Sequence, residues 1–315
     1  MTTAFVTGVG GQDGSYLAEE LLAAGYAVHG LSAPGDRGHH TEGVVLHTAD
    51  LRDTADIGVL LQEIAPDQVY NLAGISSVAA SWERPVETAE VNAVGALGLL
   101  EAARRVVETT GKRVAFVQAA SAEVFGEPAE TPQDEGTPIR PVNPYGMSKA
   151  FAHQAAAVYR THGVHACSLI LYNHESPRRP GGFVTRKITS TAAAIAQGRA
   201  DELALGNLDA RRDWGWAPDY VHAMRLAAEH PEPGDYVIAT GEGHSVREFV
   251  AAAFARAGVA DWQRYVRVEP AFLRPADPTE LRGDAGKARR VLGWTPSVTF
   301  DELVARMVEA DLEAS

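Results

Sequence analysis

Val6-Thr7-Gly8-Val9-Gly10-Gly11-Gln12-Asp13-Gly14 is the stretch that decides how this chain reads. An apolar strand at 4–7 runs straight into it. A helix at 15–24, with apolar residues at helical spacing, leaves it. Gly8, Gly11 and Gly14 stand three apart. The first permits a tight turn, the second lets backbone approach a pyrophosphate, and the third lets helix and strand pack closely. The helix N-terminus then presents unpaired N–H groups to the phosphates. Glycine triplets are common in a chain with 30 glycines, so the spacing alone carries little. Its place, after a first strand and before a first helix, makes it a dinucleotide-binding turn.

Working outward, strands and helices alternate. Residues 27–31, 44–46, 68–72 and 114–118 read as strands, and 54–64 and 88–107 as helices. This rhythm predicts an α/β fold, a Rossmann-type doubly wound parallel sheet covered on both faces. The strands are apolar throughout rather than alternating, which fits that burial. After about residue 173 the rhythm breaks at Pro177, Pro180, Gly181 and Gly182. Helices at 221–229, 246–257 and 303–312 and a strand at 236–239 follow, read as a smaller C-terminal substrate-binding lobe. The expected division is 1–172 for the dinucleotide-binding domain, with segments around 213–250 returning to it. Residues 173–315 then build mainly the nucleotide-sugar-binding lobe.

Bulk properties narrow the partners. With 315 residues and 45% hydrophobic content, the chain can bury a large core without disulfides or a structural metal. Its single cysteine, Cys167, rules out a multi-cysteine zinc site and lies in an apolar run. His39-His40 has no partners at metal-ligand spacing, so no metal is expected. A net charge of −13 argues against nucleic acid. Local basic groups (Arg178, Arg179, Arg186, Lys187, Arg211 and Arg212) suit a small anion, or else form a solvated surface. There is no signal-like start and no apolar run long enough to span a membrane, so a cytoplasmic protein is expected.

The catalytic signal lies further on. Tyr145-Gly146-Met147-Ser148-Lys149 places Lys149 on the same helix face as Tyr145. A phenol is a poor base at neutral pH. A neighbouring ammonium, together with a nicotinium charge, is expected to lower its pKa. The 114–118 strand leads into Ser121-Ala122-Glu123, near the cleft outside strand C-termini where such sheets bind ligands. Ser121 can donate to a substrate oxygen. Glu123, one alternation further along, is suited to proton abstraction.

Cofactor choice rests on the end of the second strand, where an acid holds ribose hydroxyls and an arginine accepts a 2′-phosphate. Here the chain reads Ser32-Ala33-Pro34-Gly35-Asp36-Arg37, with no acid directly at the strand end. That favours NADP over NAD, with Arg37 as the candidate phosphate partner. Asp50 and Leu51 follow the third strand, either flanking the adenine or, for Asp50, capping a helix.

Taken together, Gly8/Gly11/Gly14, Ser121 and Tyr145/Lys149 resemble the extended short-chain dehydrogenase/reductase superfamily. Asn173-His174-Glu175-Ser176-Pro177-Arg178-Arg179, Phe183 to Ile188 and Gly206 to Gly215 narrow the resemblance to the GDP-mannose 4,6-dehydratases. That resemblance implies hydride transfer from sugar C4 to bound NADP, with Tyr145 as base and Lys149 and Ser121 assisting. Glu123 then removes the C5 proton as water leaves C6, and the hydride returns to C6. It implies cofactor contacts from Gly8, Gly11, Gln12, Asp13, Gly14, Ser32, Arg37, Asp50, Leu51, Leu72, Tyr145, Lys149 and His174. Substrate contacts would come from Ser76, Ser81, Asn173, Val184, Lys187, Arg212, Arg247, Arg274 and Asp277.

Three departures keep alternatives in view. The family's paired arginines after the second strand are absent, its catalytic threonine is Ser121, and Ile75 to Trp82 resembles GDP-4-keto-6-deoxymannose reductases. The alternatives are such a reductase, an epimerase or dehydratase of another nucleotide hexose such as a UDP-sugar, and a non-catalytic NADP-sensing module. Broad apolar faces on 88–107 and 151–159 predict a homodimer, with a tetramer as the larger alternative.

Overall fold

The computed structural model describes residues 1–36, 38–272 and 280–314; Arg37, Arg274 and Asp277 lie outside the described residues. Six strands in chain order build most of one sheet: β1 (Thr3–Thr7), β2 (Ala27–Ser32), β3 (Val45–Thr48), β4 (Gln68–Asn71), β5 (Ala115–Ser121) and β6 (His165–Leu171). The strand Asp235–Ile238 completes it. All neighbours are parallel, in the order Asp235–Ile238, β6, β5, β4, β1, β2, β3. The chain winds outward from β1 to β3, then crosses back to place β4 on the other side of β1. That reversal opens a crevice at the C-terminal ends of β1 and β4, where doubly wound sheets take their ligands.

Each face of the sheet has its own core. On one, Leu17 and Leu21 of helix α1 (Gln12–Ala23) and Tyr220 and Met224 of the helix Ala217–Glu229 cover Val6, Tyr70 and Tyr236. On the other, Ile57 and Leu61 of helix α2 (Thr54–Ile64) join Leu99, Leu100 and Val106 of the helix Gly95–Thr110 over Phe5, Val69 and Phe116. The long helix expected at 88–107 is interrupted. Pro85–Ala89 leads into a π-helical turn at Glu90–Val94 before Gly95–Thr110 begins. The wide turn carries Asn92, whose amide bonds to the Ile75 backbone and to Ser148.

A third core lies beyond the sheet. Ile188 and Ile195 of the helix Val184–Ala196, Phe249 and Phe254 of Val246–Arg256, and Val304 and Met307 of Phe300–Glu313 pack around Trp214. The helices Ala217–Glu229 and Gly286–Leu292 instead contribute buried residues to the sheet's own core, through Tyr220 and Ala288. Among the described residues, no helix is long and apolar enough to cross a membrane.

Candidate active site

The glycine turn takes its shape from contacts that only glycine tolerates. Gly8 has φ +67°, in the left-handed region. A Cβ on Gly14 would stand 2.2 Å from the Gly8 carbonyl oxygen, so helix α1 can approach β1 only without one. Thr7 ties the turn to the neighbouring strand: its hydroxyl bonds Asn71 and accepts the Leu72 and Ala73 amides.

The first turn of α1 reaches across to the short strand Asn173–Glu175. Gln12 donates to the His174 carbonyl and accepts from Ser176. His174 Nε2 lies 2.8 Å from Asp13 Oδ2, and its Nδ1 lies 2.7 Å from the Tyr172 carbonyl. Each ring nitrogen thus faces an oxygen, an arrangement that favours an imidazolium paired with a carboxylate. Burial opposes both charges, yet their attraction and shared hydrogen bond outweigh it. Asp13 is held below the usual carboxylate range and His174 above the usual imidazole value. The His174 ring also stacks on Tyr220.

The basic run that follows is mostly paired with carboxylates rather than free. Arg178 bonds Glu19 and Ser15 and lies over the Tyr16 ring, while Arg179 pairs with buried Glu175 and covers Phe183. Arg186 pairs with Asp311. Much of the His-Glu-Ser-Pro-Arg-Arg stretch thus clasps the glycine-turn helix to the second half of the chain.

At the end of β5 stand Ser121, Glu123, Tyr145 and Lys149. The helix Pro144–Arg160 starts here, with Asn143 capping it and Pro144 in its first position. Lys149 is buried and donates to the Ala119 carbonyl at 2.8 Å, its ammonium 6.0 Å from the Tyr145 ring centre. Burial brings the ammonium down to about 8. The lowering expected of the phenol combines Lys149 with a nicotinium charge; the protein's own environment acts against it. Burial dominates and pushes Tyr145 up to about 12, while a hydrogen bond with Ser121 pulls the other way. Lys149 spends its hydrogen bond on backbone instead of on the phenol. Glu123 also departs from expectation: it lies in a 3-10 turn, Ala122–Val124, not on a continuing strand. Its Oε2 accepts a 2.8 Å hydrogen bond from Asn143 Nδ2.

Other expected site residues scatter more widely. Ser32 ends β2 and is buried, Leu51 is buried, and Leu72 follows β4 at the crevice. Asp50 does not cap α2, whose N-cap residue is Asp53; it grips Arg52 instead, which pulls its carboxyl down to about 2. Ser76 is exposed. Ser81 is fully buried, donating to the Val78 carbonyl and accepting from the Tyr145 amide, so it lies beneath the Tyr145 backbone. Asn173 and Val184 are half-buried, and Lys187 lies over Phe272. Arg212 is buried on Arg211–Arg212, between His244–Ser245 and Glu280–Leu281. Arg247 is exposed and bonds Asp209.

Sequence reasoning missed Asn92, Asn143, Glu175 and Asp213. Asn143 was legible, since Asn-Pro before a helix is a cap signal. Asp213 was not: it accepts from Thr240, Gly241 and Gly283, all remote in sequence.

A phosphate-shaped turn and a Tyr–Lys helix meeting at one switch point define a nicotinamide-dependent enzyme of the extended short-chain dehydrogenase/reductase class. Residues 5–307 match the GDP-mannose 4,6 dehydratase family model, and the chain belongs to that family. It is 47% identical to GDP-mannose 4,6 dehydratase 2 of Arabidopsis thaliana, over 98% of this chain and 87% of that protein. Among solved structures it is similar to the Thermus thermophilus UDP-glucose 4-epimerase complex with NAD. That likeness has TM-score 0.87 and 31% identity, covering 100% of both chains. It is also similar to RMD from Pseudomonas aeruginosa complexed with NADPH, with TM-score 0.83, 26% identity and 100% of both chains covered.

Proposed function

We propose that this protein converts GDP-mannose to GDP-4-keto-6-deoxymannose and water without net consumption of cofactor. The observation that carries this reading is a second base. Oxidation at one carbon needs only the Ser121–Tyr145 pair, whereas elimination also needs a carboxylate. Glu123 stands beside the start of the Tyr145 helix, its Oε2 2.8 Å from Nδ2 of the capping Asn143.

The residues at the glycine turn fit a dinucleotide. Gly8 makes the left-handed turn and Gly14 lets α1 close onto β1, which sets the α1 amides at the turn where a diphosphate would lie, and His174 pairs with the Asp13 carboxylate that would repel one. When bound, a nicotinamide supplies hydride storage between C4 and C6, and its positive ring offsets the burial that raises Tyr145. Tyr145 takes the C4 hydroxyl proton, Ser121 bonds the same oxygen, and Lys149 holds positive charge nearby. The resulting C4 ketone acidifies C5–H. Glu123 takes that proton, the C–H electrons form the C5–C6 double bond, and Glu123 passes the proton to the hydroxide that leaves C6 as water; C5 then takes the proton held on Tyr145 as C6 is reduced. Asn173, Lys187, Arg212, Arg274 and Asp277 are assigned to the GDP moiety, the arginines to its diphosphate.

NADP is the preferred cofactor in this reading, because Ser32 rather than an acid ends β2. NAD has one observation in its favour. The Asp36 carboxylate lies 3.1 Å from where a Cβ on Gly10 would stand, beside the glycine turn. Titrating stripped protein with each cofactor separates the two; tighter NAD binding reverses the assignment.

A homodimer is part of this reading, supported by the apolar surface that Val94, Met147, Phe151 and Val158 leave exposed on the two helices expected to pair. Light scattering at the monomer mass refutes it. The protein is assigned to the cytoplasm, with its lone thiol buried.

The test is incubation with GDP-mannose and no reductant, followed by mass spectrometry. Loss of one water with cofactor unchanged supports the proposal. Intact GDP-mannose beside confirmed bound cofactor overturns it in favour of the reductase or another nucleotide sugar.

A further inference from the structure

Asn143 is buried and has two partners of opposite kind. Its Oδ1 accepts the Gly146 amide at 2.7 Å, and its Nδ2 donates to Glu123 Oε2 at 2.8 Å. A backbone N–H can only donate and a carboxylate can only accept, so the amide has one orientation. The surrounding backbone leaves it little freedom. Pro144 fixes the first helical φ, and a Cβ on Gly146 would lie 2.5 Å from the Glu123 carbonyl oxygen. The helix that carries Tyr145 and Lys149 is therefore pressed against the turn that carries Glu123.

We propose that Asn143 is a positioning residue for the elimination step, orienting the Glu123 carboxylate while capping the Tyr145 helix. This rests on Glu123 being the C5 base. A hydroxyl or a carboxylate caps a helix as well as an amide does. A carboxylate cannot donate and a hydroxyl has one short-reaching atom for both roles, whereas the amide accepts from the helix with one end and donates to Glu123 with the other. The residue thereby fixes the two bases relative to each other, Tyr145 through the helix start and Glu123 through Nδ2.

Two substitutions separate this role from capping. Asn143→Asp keeps the cap and the volume but sets one carboxylate against another, so the pair cannot both ionise at neutral pH. Its kcat at neutral pH falls by about a hundredfold, the lower end of a general base's worth. KM stays unchanged, and activity recovers as pH rises. Asn143→Ser keeps the cap without new charge and shortens the donor. Its kcat falls by about tenfold, and C5-deuterated GDP-mannose gives a larger isotope effect on kcat than in the wild type. Carbon-13 NMR of labelled carboxyls, with the Glu123 signal assigned by its loss in Glu123→Gln, reads the contact without turnover. That signal titrates at higher pH in Asn143→Asp than in the wild type.

Wild-type kcat and pH profile in Asn143→Asp overturn the proposal, as does a Glu123 signal that titrates identically in both proteins. A wild-type enzyme that releases no water while the Glu123 titration still moves overturns the function and leaves the positioning role standing.

Discussion

Replacing Gly14 by alanine tests the geometry on which dinucleotide binding depends. The added Cβ would lie 2.2 Å from the Gly8 carbonyl oxygen and 2.7 Å from the Val9 Cα. Both neighbours are backbone, so no side chain can swing aside. Ordinary contact requires helix α1 and the turn to separate by about 1 Å, and overpacking of this kind costs roughly 1–3 kcal/mol. The same displacement moves the α1 amides away from the diphosphate. Charge-assisted hydrogen bonds are worth about 1.5–3 kcal/mol each, so losing one weakens cofactor binding about tenfold to a hundredfold. The control is the same substitution at Gly58 in α2, where a Cβ meets nothing within 4 Å. Gly58→Ala removes unfolded-state freedom and stabilises by about 0.4–1 kcal/mol. Calorimetric titration with cofactor and thermal unfolding read both effects. Gly14→Ala with wild-type affinity and wild-type Tm would refute the role given to this turn.

Further outcomes follow from the same contacts. Tyr145→Phe retains the ring and removes the acid–base group; water release from GDP-mannose should fall by at least about a hundredfold with cofactor still bound. Substantial residual turnover would exclude the phenol as the base. The Asp13–His174 pair predicts a pH window. The raised imidazole contributes stability present below its ordinary value of 6.5 and lost as pH rises through its folded value; the lowered carboxyl contributes above 3.8 and loses it in acid. The Tm gap between wild type and an Asp13→Asn/His174→Gln double variant should therefore be widest between those values, and a gap widening toward pH 9 contradicts the ion pair. Cys167 is fully buried and its thiol is pushed up by burial, so thiol reagents should label it only after unfolding. Rapid labelling of native protein would place that strand differently.

The glycine turn, the alternation of strands and helices and the Tyr-x-x-x-Lys pair were all legible in the sequence, because each is a short-range pattern. Glycine's missing side chain, the helical period and the i, i+4 spacing act within a few residues and need no knowledge of the rest of the chain. They were enough to predict the class of fold and to nominate the groups proposed for the chemistry. Tertiary structure decided what those groups meet. His174 reaches Asp13 from 161 residues away, and Ser81 supports Tyr145 from 64 residues away. Tyr145 is raised rather than lowered because burial depends on the whole packed cleft, and Lys149 finds the Ala119 carbonyl before it finds the phenol. Hydrogen-bond partners and desolvation are set by what folding brings within a few ångströms, and spacing along the chain does not report that distance.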